Sequence, residues 1–149
     1  MVFIHMTKRL LVPIDGSEQA WTALDHATTE HPEAALTLLY VINPVGGIAG
    51  VSAGAQIADV GYGEEWYEAA EQRAEALFER TSERVGDREI ETETTVGRPA
   101  RAIAAFAEGN PIDAIVMGSH GRDGVSRIVL GSVAETVVRR APVPVTVVR

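Results

Sequence analysis

Apolar residues along this chain fall into short runs and helical stripes that alternate from one end to the other. Leu10 to Ile14 is a continuous run of strand length that stops at Asp15-Gly16-Ser17, after which Ala20, Ala23, Leu24 and Ala27 recur at helical spacing. Ser17 is placed as the N-cap of that helix, its hydroxyl accepting from a free amide of the first turn. Ala35 to Ile42 is a second apolar run, preceded by His31-Pro32, too short for a typical helix and therefore read as a strand ending at Asn43-Pro44. Val45 to Gly63 is rich in glycine and small residues, and a loop of that length is usually a functional cover or disordered. From Glu64 onward Trp66, Ala70, Ala74, Leu77 and Thr81 share one stripe, while Glu68, Glu71, Glu75 and Glu79 are solvated, which predicts a long amphipathic helix.

In the second half, Ile90, Thr92, Thr94 and Val96 alternate with Glu91, Glu93 and Thr95, the period of an edge strand with a wet face. Gly97-Arg98-Pro99 opens a helix with proline at its first position, where a missing N–H costs nothing, and Ala100, Ile103, Ala104 and Ala107 form its inner stripe. Gly109-Asn110-Pro111 stops it. Ala114 to Met117 reads as a buried parallel strand running straight into Gly118, and Ala134, Val137, Val138 and Ala141 mark a last helix. Val143 to Val148, with Pro144 near its start, is the last strand.

Strands alternating with helices in this way require right-handed crossovers and a parallel sheet covered on both faces. The expected fold is therefore α/β: a single doubly wound, Rossmann-like sheet of five parallel strands in the order 3-2-1-4-5. Ligands of such sheets bind beyond the carboxyl ends of the strands where the winding reverses, which puts Asp15 and Gly118 on one crevice.

Composition narrows the function. A chain of 149 residues is about one domain, and Met1 to Met6, which end in a second methionine, are read as extra or disordered N-terminal residues. Aromatic residues are 5% of the chain against 46% hydrophobic overall, so aliphatic side chains and alanine fill the core. No run has the roughly 18 apolar residues of a spanning helix and no signal peptide is evident, so the expected location is the cytoplasm, away from membranes. Absence of cysteine removes disulfides, thiolate metal sites and thiol nucleophiles. A net charge of −8 argues against nucleic acid as a partner, since counterion displacement needs a basic face.

The chemistry concentrates between Gly118 and Ser132. Gly118-Ser119-His120-Gly121 follows the fourth strand, nine residues separate Gly121 from Gly131, and Gly131-Ser132 opens the last helix. Glycines let backbone amides approach phosphate oxygens as a nest of donors. Ser132 can cap the helix and offer its hydroxyl, and the first-turn amides at Val133 and Ala134 carry about half a positive charge. Local dipoles would thus hold an anion in an acidic protein.

A strand ending in G-x-x-G, nine residues, then G-S resembles the ATP-binding branch of the universal stress protein family. Pro13-Ile14-Asp15-Gly16-Ser17, the long middle loop and helix, and the closing P-V-x-V-V strand extend the resemblance over nearly the whole chain. It implies that Asp15 and the backbone of Val41 meet adenine, that Pro13, Met117 and Gly118 line the adenosine, and that Gly121, Gly131, Ser132 and Val133 hold the phosphates. ATP with Mg²⁺ or Mn²⁺ shared among phosphate oxygens is the implied cofactor. Ala134 departs from relatives that carry a hydroxyl there, so that contact falls to backbone or water. The family also implies a homodimer through Val143 to Val148, an apolar edge that would otherwise invite uncontrolled pairing.

Each assignment has a plainer competitor. Asp15 can simply organise its own turn as an Asx motif. Arg122 and Arg127 are candidates to neutralise outer phosphates, although loop arginines are more often only solvated. His120 has no group placed to orient it as a base, and His5, His26 and His31 lack metal-ligand spacing. The leading function is an ATP-binding stress-response or regulatory protein. An ATPase or autokinase on the same site is the alternative, limited to slow turnover because no Walker lysine or activating base is evident. A nucleotide-independent interaction module is the third reading, against which the intact glycine pattern counts. A phospho-accepting receiver fails because the only lysine is Lys8.

Overall fold

The computed structural model describes residues 7–44, 63–119 and 130–149. The expectations for Met1 to Met6, for the long loop up to residue 62, and for His120, Gly121, Arg122 and Arg127 lie outside those residues.

Five strands, β1 (Arg9–Pro13), β2 (Ala35–Ile42), β3 (Ile90–Val96), β4 (Ala114–Gly118) and β5 (Val145–Val148), pair in parallel in the order β3-β2-β1-β4-β5. Between them lie α1 (Glu18–Glu30), α2 (Glu64–Val85), α3 (Pro99–Gly109) and α4 (Ser132–Arg140). Strand alternation sorts the core into two layers. Leu10, Val12, Leu36, Leu38 and Tyr40 face α1 and α2, whereas Leu11, Leu39, Ile115 and Met117 face Ile103 and Ala107 of α3 and Ala134 and Val137 of α4. The doubly wound sheet read from the sequence is the observed fold.

Element ends shift by a residue or two, for reasons the backbone makes plain. β1 stops at Pro13 rather than Ile14, and β5 starts at Val145 rather than Val143 because Pro144 has no N–H and enters only as an acceptor, its carbonyl receiving Ile115 N at 2.9 Å. Val138, expected on the inner stripe of α4, is 47% exposed; Ala134 and Val137 meet the sheet, and Val138 lies one position further round. β3 is an edge strand with only Ile90 and Thr95 partly covered, so both of its faces are wet.

Two features anchor α1. Ser17 Oγ accepts from Ala20 N at 3.1 Å, the N-cap expected of it. At the other end α1 has no basic residue in its last turn, and Arg88, just before β3, takes that role. Its guanidinium donates to Thr28 O at 3.1 Å, to Ala34 O at 3.0 and 2.8 Å, and to His31 O. Those carbonyls lie at or just beyond the end of the helix, where the orphan acceptors and the negative pole of the dipole lie. Burial lowers the Arg88 pKa below the ordinary arginine value, a cost these hydrogen bonds offset.

Candidate functional site

The reversal of winding falls between β1 and β4, and their ladder is short. It holds Leu10↔Ala114 and Leu11↔Ile115, while β1 pairs with β2 as far as Pro13 and β4 with β5 as far as Gly118. Alternation along β1 explains the difference. Arg9 turns its backbone toward β4, its carbonyl accepting Asp113 N at 2.8 Å, whereas Ile14 turns toward β2 and donates to Leu39 O at 2.9 Å. Pro13 shares the side of Arg9, so the next donor owed to β4 is the N–H that proline lacks. Pro13 thereby ends the ladder at the carboxyl edge, where a ligand would enter.

Val41 completes that edge by the same rule. Leu39 presents its carbonyl to β1, and Val41, two residues on, presents its N–H and C=O to the same side, past the end of β1. Among the described residues no backbone hydrogen bond from Ile14 or the following turn reaches it. One donor and one acceptor therefore stand side by side beside the Asp15 turn, the pattern that complements the N1 acceptor and exocyclic N6 donor of adenine.

Asp15 organises its own turn and keeps one carboxylate oxygen to spare. Its Oδ1 accepts Ser17 N at 2.9 Å, the Asx arrangement, and the carboxylate is partly buried. Among the described residues Oδ2 has no hydrogen-bond partner, which leaves one acceptor for a ligand. Gly16 follows with φ 83°, the left-handed conformation that favours glycine and lets the chain turn into α1.

Gly118 has a structural reason of its own that the sequence did not reveal. A Cβ there would stand 2.9 Å from both Cβ and O of Gln19, so glycine is what allows the first turn of α1 to press on the end of β4. Ser119 is buried and joins three elements. Its N–H donates to Val148 O at 2.9 Å and its carbonyl accepts Gly131 N at 2.8 Å. That second bond clips the start of α4 to the end of β4, with Leu130 and Val133 packed against the Met117 layer.

The helix start differs from expectation in one respect. Gly131, at φ −66° and ψ 162°, is the N-cap and makes no side-chain cap; Ser132 is the first helical residue, so its hydroxyl is exposed rather than capping. Gly131 also spends its N–H on Ser119 and cannot offer it to a phosphate. The amides of Ser132, Val133 and Ala134 precede the first intrahelical donor, Glu135 N, which bonds Gly131 O at 2.9 Å. These three N–H groups are the orphan donors of α4, and among the described residues no side chain caps them.

Pro13, Asp15, Val41, Met117, Gly118, Gly131, Ser132 and Val133 therefore meet at the carboxyl edge around one switch point, with Val41, Met117 and Val133 in the layer that faces α3 and α4. Among the described residues no cluster of His, Asp and Glu is arranged to hold a metal. No helix of the described residues is long and apolar enough to cross a membrane.

A family model described as the universal stress protein family matches residues 6–149. A universal stress protein of Methanocaldococcus jannaschii is 35% identical, covering 97% of this chain and 84% of its own. Universal stress protein UspA from Lactobacillus plantarum superposes with a TM-score of 0.77 at 30% identity, over 95% of this chain and 97% of that one. A universal stress protein solved in complex with cAMP follows at a TM-score of 0.66 and 27% identity, over 95% and 97% of the two chains. With a match that runs from residue 6 to the last residue and a glycine-bounded switch point at its centre, this chain belongs to the universal stress protein family.

Proposed function

We propose that this protein binds ATP at the β1–β4 switch point and serves as a nucleotide-responsive regulatory protein of the stress response. One observation carries the reading: the uncapped start of α4 is clipped by Gly131 N–H and Ser119 C=O to the end of β4, beside the ladder that Pro13 cuts short. In this arrangement the Val41 backbone and Asp15 Oδ2 receive the adenine and its sugar, and Pro13, Met117 and Gly118 form the apolar side. The amides of Ser132, Val133 and Ala134 and the Ser132 hydroxyl receive phosphate oxygens, with Gly121, Arg122 and Arg127 completing the loop. Gly131 acts by geometry, because its N–H is already used. Mg²⁺ or Mn²⁺ would ride on the phosphates, neutralising charge that an acidic chain cannot. The likeness to a relative solved with cAMP supports an adenine nucleotide as ligand class.

Hydrolysis at this site is at most slow. Lys8, the only lysine of the chain, precedes β1 at the amino end of the sheet, about 17 Å of strand from Pro13. It cannot serve the phosphates as a P-loop lysine does. Phosphate release at typical kinase rates, about 1 to 100 per second, would establish the ATPase or autokinase alternative instead. We also propose a cytoplasmic homodimer joined along β5, which pairs with β4 on one side only and carries half-buried Val145, Val147 and Val148. A monomer at micromolar concentration by sedimentation refutes that assembly.

The deciding experiment denatures the purified protein and identifies any released nucleotide by chromatography, with a thermal melt in added ATP and Mg²⁺ beside it. ATP at a hundred times its Kd stabilises the fold by about 2.7 kcal/mol. No released nucleotide together with an unmoved melting temperature would leave the nucleotide-independent interaction module.

A further inference from the structure

The turn that carries Asp15 rests on α2. A Cβ at Gly16 would lie 3.5 Å from Cδ2 and 3.8 Å from Cδ1 of Leu77, so the backbone of the turn sits against that side chain with no atom between. From this contact α1 and α2 run side by side in the same direction. Trp21 of α1 receives the guanidinium of Arg80 at 5.1 Å from its ring centroid and that of Arg84 at 5.4 Å. One turn on, Asp25 takes both Nε and Nη2 of Arg84 at 2.8 and 2.6 Å. The seam is thus made of a leucine on a glycine, an indole against two guanidinium groups and a bidentate ion pair, all on the outer layer of the sheet.

Over its 22 residues α2 fully buries only Ala70, Ala74, Leu77 and Thr81, with Trp66, Phe78 and Val85 partly buried against the same core. Its residues before Leu77 extend about 20 Å past the start of α1. An element with a shallow apolar stripe sits at the low end of local stability and is the one a small displacement of its support will move.

We propose that the α1–α2 seam is the output of the nucleotide site: occupancy repositions the Asp15-Gly16 turn, Leu77 transmits the shift, and α2 changes its setting against Trp21. The inference rests on the nucleotide reading above and adds where the bound state is presented on the surface. By linkage, if nucleotide shifts the seam equilibrium, a change that shifts that equilibrium by itself alters nucleotide affinity in turn, up to the factor set by the coupling.

Trp21 and Trp66 are the two tryptophans of the chain, so Trp66→Phe leaves Trp21 as sole reporter. ATP with Mg²⁺ is titrated into this variant while Trp21 emission and binding heat are followed in parallel. The expected result is a saturable emission change whose midpoint coincides with the calorimetric Kd. Adding Asp25→Asn should shrink the emission change by at least half and shift the Kd at least threefold. Asp25 lies outside the nucleotide crevice, and its exposed ion pair makes the variant safe to fold. Binding heat without any Trp21 change, or with unchanged response and Kd in Asp25→Asn, overturns the coupling while leaving ATP binding intact. Absence of binding heat overturns both.

Discussion

Gly118→Ala puts one methyl group where the structure has no room, and two opposing effects decide its outcome. Gly118 does not adopt a positive φ, so alanine suits its backbone and would gain about 0.4–1 kcal/mol from a less flexible unfolded chain. Against this, the new Cβ would meet Gln19 Cβ and O at 2.9 Å and Gln19 C at 3.0 Å, where carbon atoms prefer about 3.5–4.0 Å. Two of those three atoms belong to the backbone of α1, so no side-chain rotation relieves the contact. The first turn of α1 must retreat by several tenths of an ångström, and overpacking of that kind costs about 1–3 kcal/mol. Subtraction leaves a net loss of about 0–2.6 kcal/mol, about 1.3 at mid-range, which at about 2–4 °C per kcal/mol lowers Tm by about 3–5 °C at mid-range and by about 10 °C at most. Gly109→Ala is the matched control. Gly109 ends α3 with nothing within 4 Å of its notional Cβ, and there the same chemical change should raise Tm, helix propensity favouring alanine by about 0.5–1 kcal/mol. Far-UV circular dichroism melts of the nucleotide-free proteins measure both. Equal shifts for the two variants, or a Gly118→Ala protein more stable than the parent, would refute the close seating of α1 on β4.

Other perturbations follow from the same geometry. Arg88→Met removes the donors at the end of α1 and should cost about 1.5–3 kcal/mol in urea unfolding, with Arg88→Lys recovering part, since one ammonium cannot span Thr28, His31 and Ala34 together. The hydrogen bond from Arg84, aided by its charge, lowers the Asp25 pKa below the ordinary 3.8, despite an opposing effect of burial. A carboxyl lowered on folding contributes stability above its unfolded value and loses it as pH falls through the folded one. The Tm gap between parent and Asp25→Asn should therefore be present at pH 7 in low salt and close below about pH 3.8, and a gap that widens in acid would contradict the pairing. Ser132→Pro separates phosphate binding from folding. Position 132 is the first of α4, and Gly131 already has the extended backbone that a following proline requires, so the melt should be unchanged. ATP affinity should fall about 10- to 100-fold by calorimetry through loss of one charge-assisted N–H donor, and by less in Ser132→Ala, which keeps that amide.

Legibility in the sequence follows the range of the interaction. Helix stripes and strand runs are set by local periodicity, and Ala20, Ala23, Leu24 and Ala27 are all buried as that periodicity requires. The Ser17 cap was equally local, one hydroxyl three residues from its amide. Glycine spacing in a strand–loop–helix frame is likewise a local signal, and the proposed phosphate end of the site rests on it. Contacts that join distant segments were not legible. Nothing near Arg88 signals that it closes a helix more than fifty residues earlier, and nothing near Gly118 signals the backbone of Gln19. Trp21 and Asp25 read as ordinary helix-surface positions until α2 is laid beside them. Even the helix start is ambiguous by one position, because Gly131 and Ser132 both suit an N-cap, and the structure takes Gly131, whose N–H is bonded to Ser119 O, a contact invisible in one dimension.

That bond also bears on how a chain of net charge −8 would hold the anion of the proposed function. With Gly131 N–H consumed by Ser119, the start of α4 is fixed to the sheet and its next three amides, without a capping side chain among the described residues, carry the positive pole of the helix. Their charge is fractional and local, effective over the first turn, whereas the glutamates of α2 and β3 are exposed and screened beyond about 8 Å at physiological salt. Proximity decides: dipoles in contact with a phosphate outweigh net charge spread over a wet surface. Binding should then depend weakly on ionic strength, because fixed amides release few counterions, whereas capture by Arg122 and Arg127 would weaken steeply with salt. A salt series of ATP affinities in the parent and in Ser132→Pro distinguishes the two sources of attraction, and a steep slope unchanged by the proline would assign the phosphates to the arginines instead.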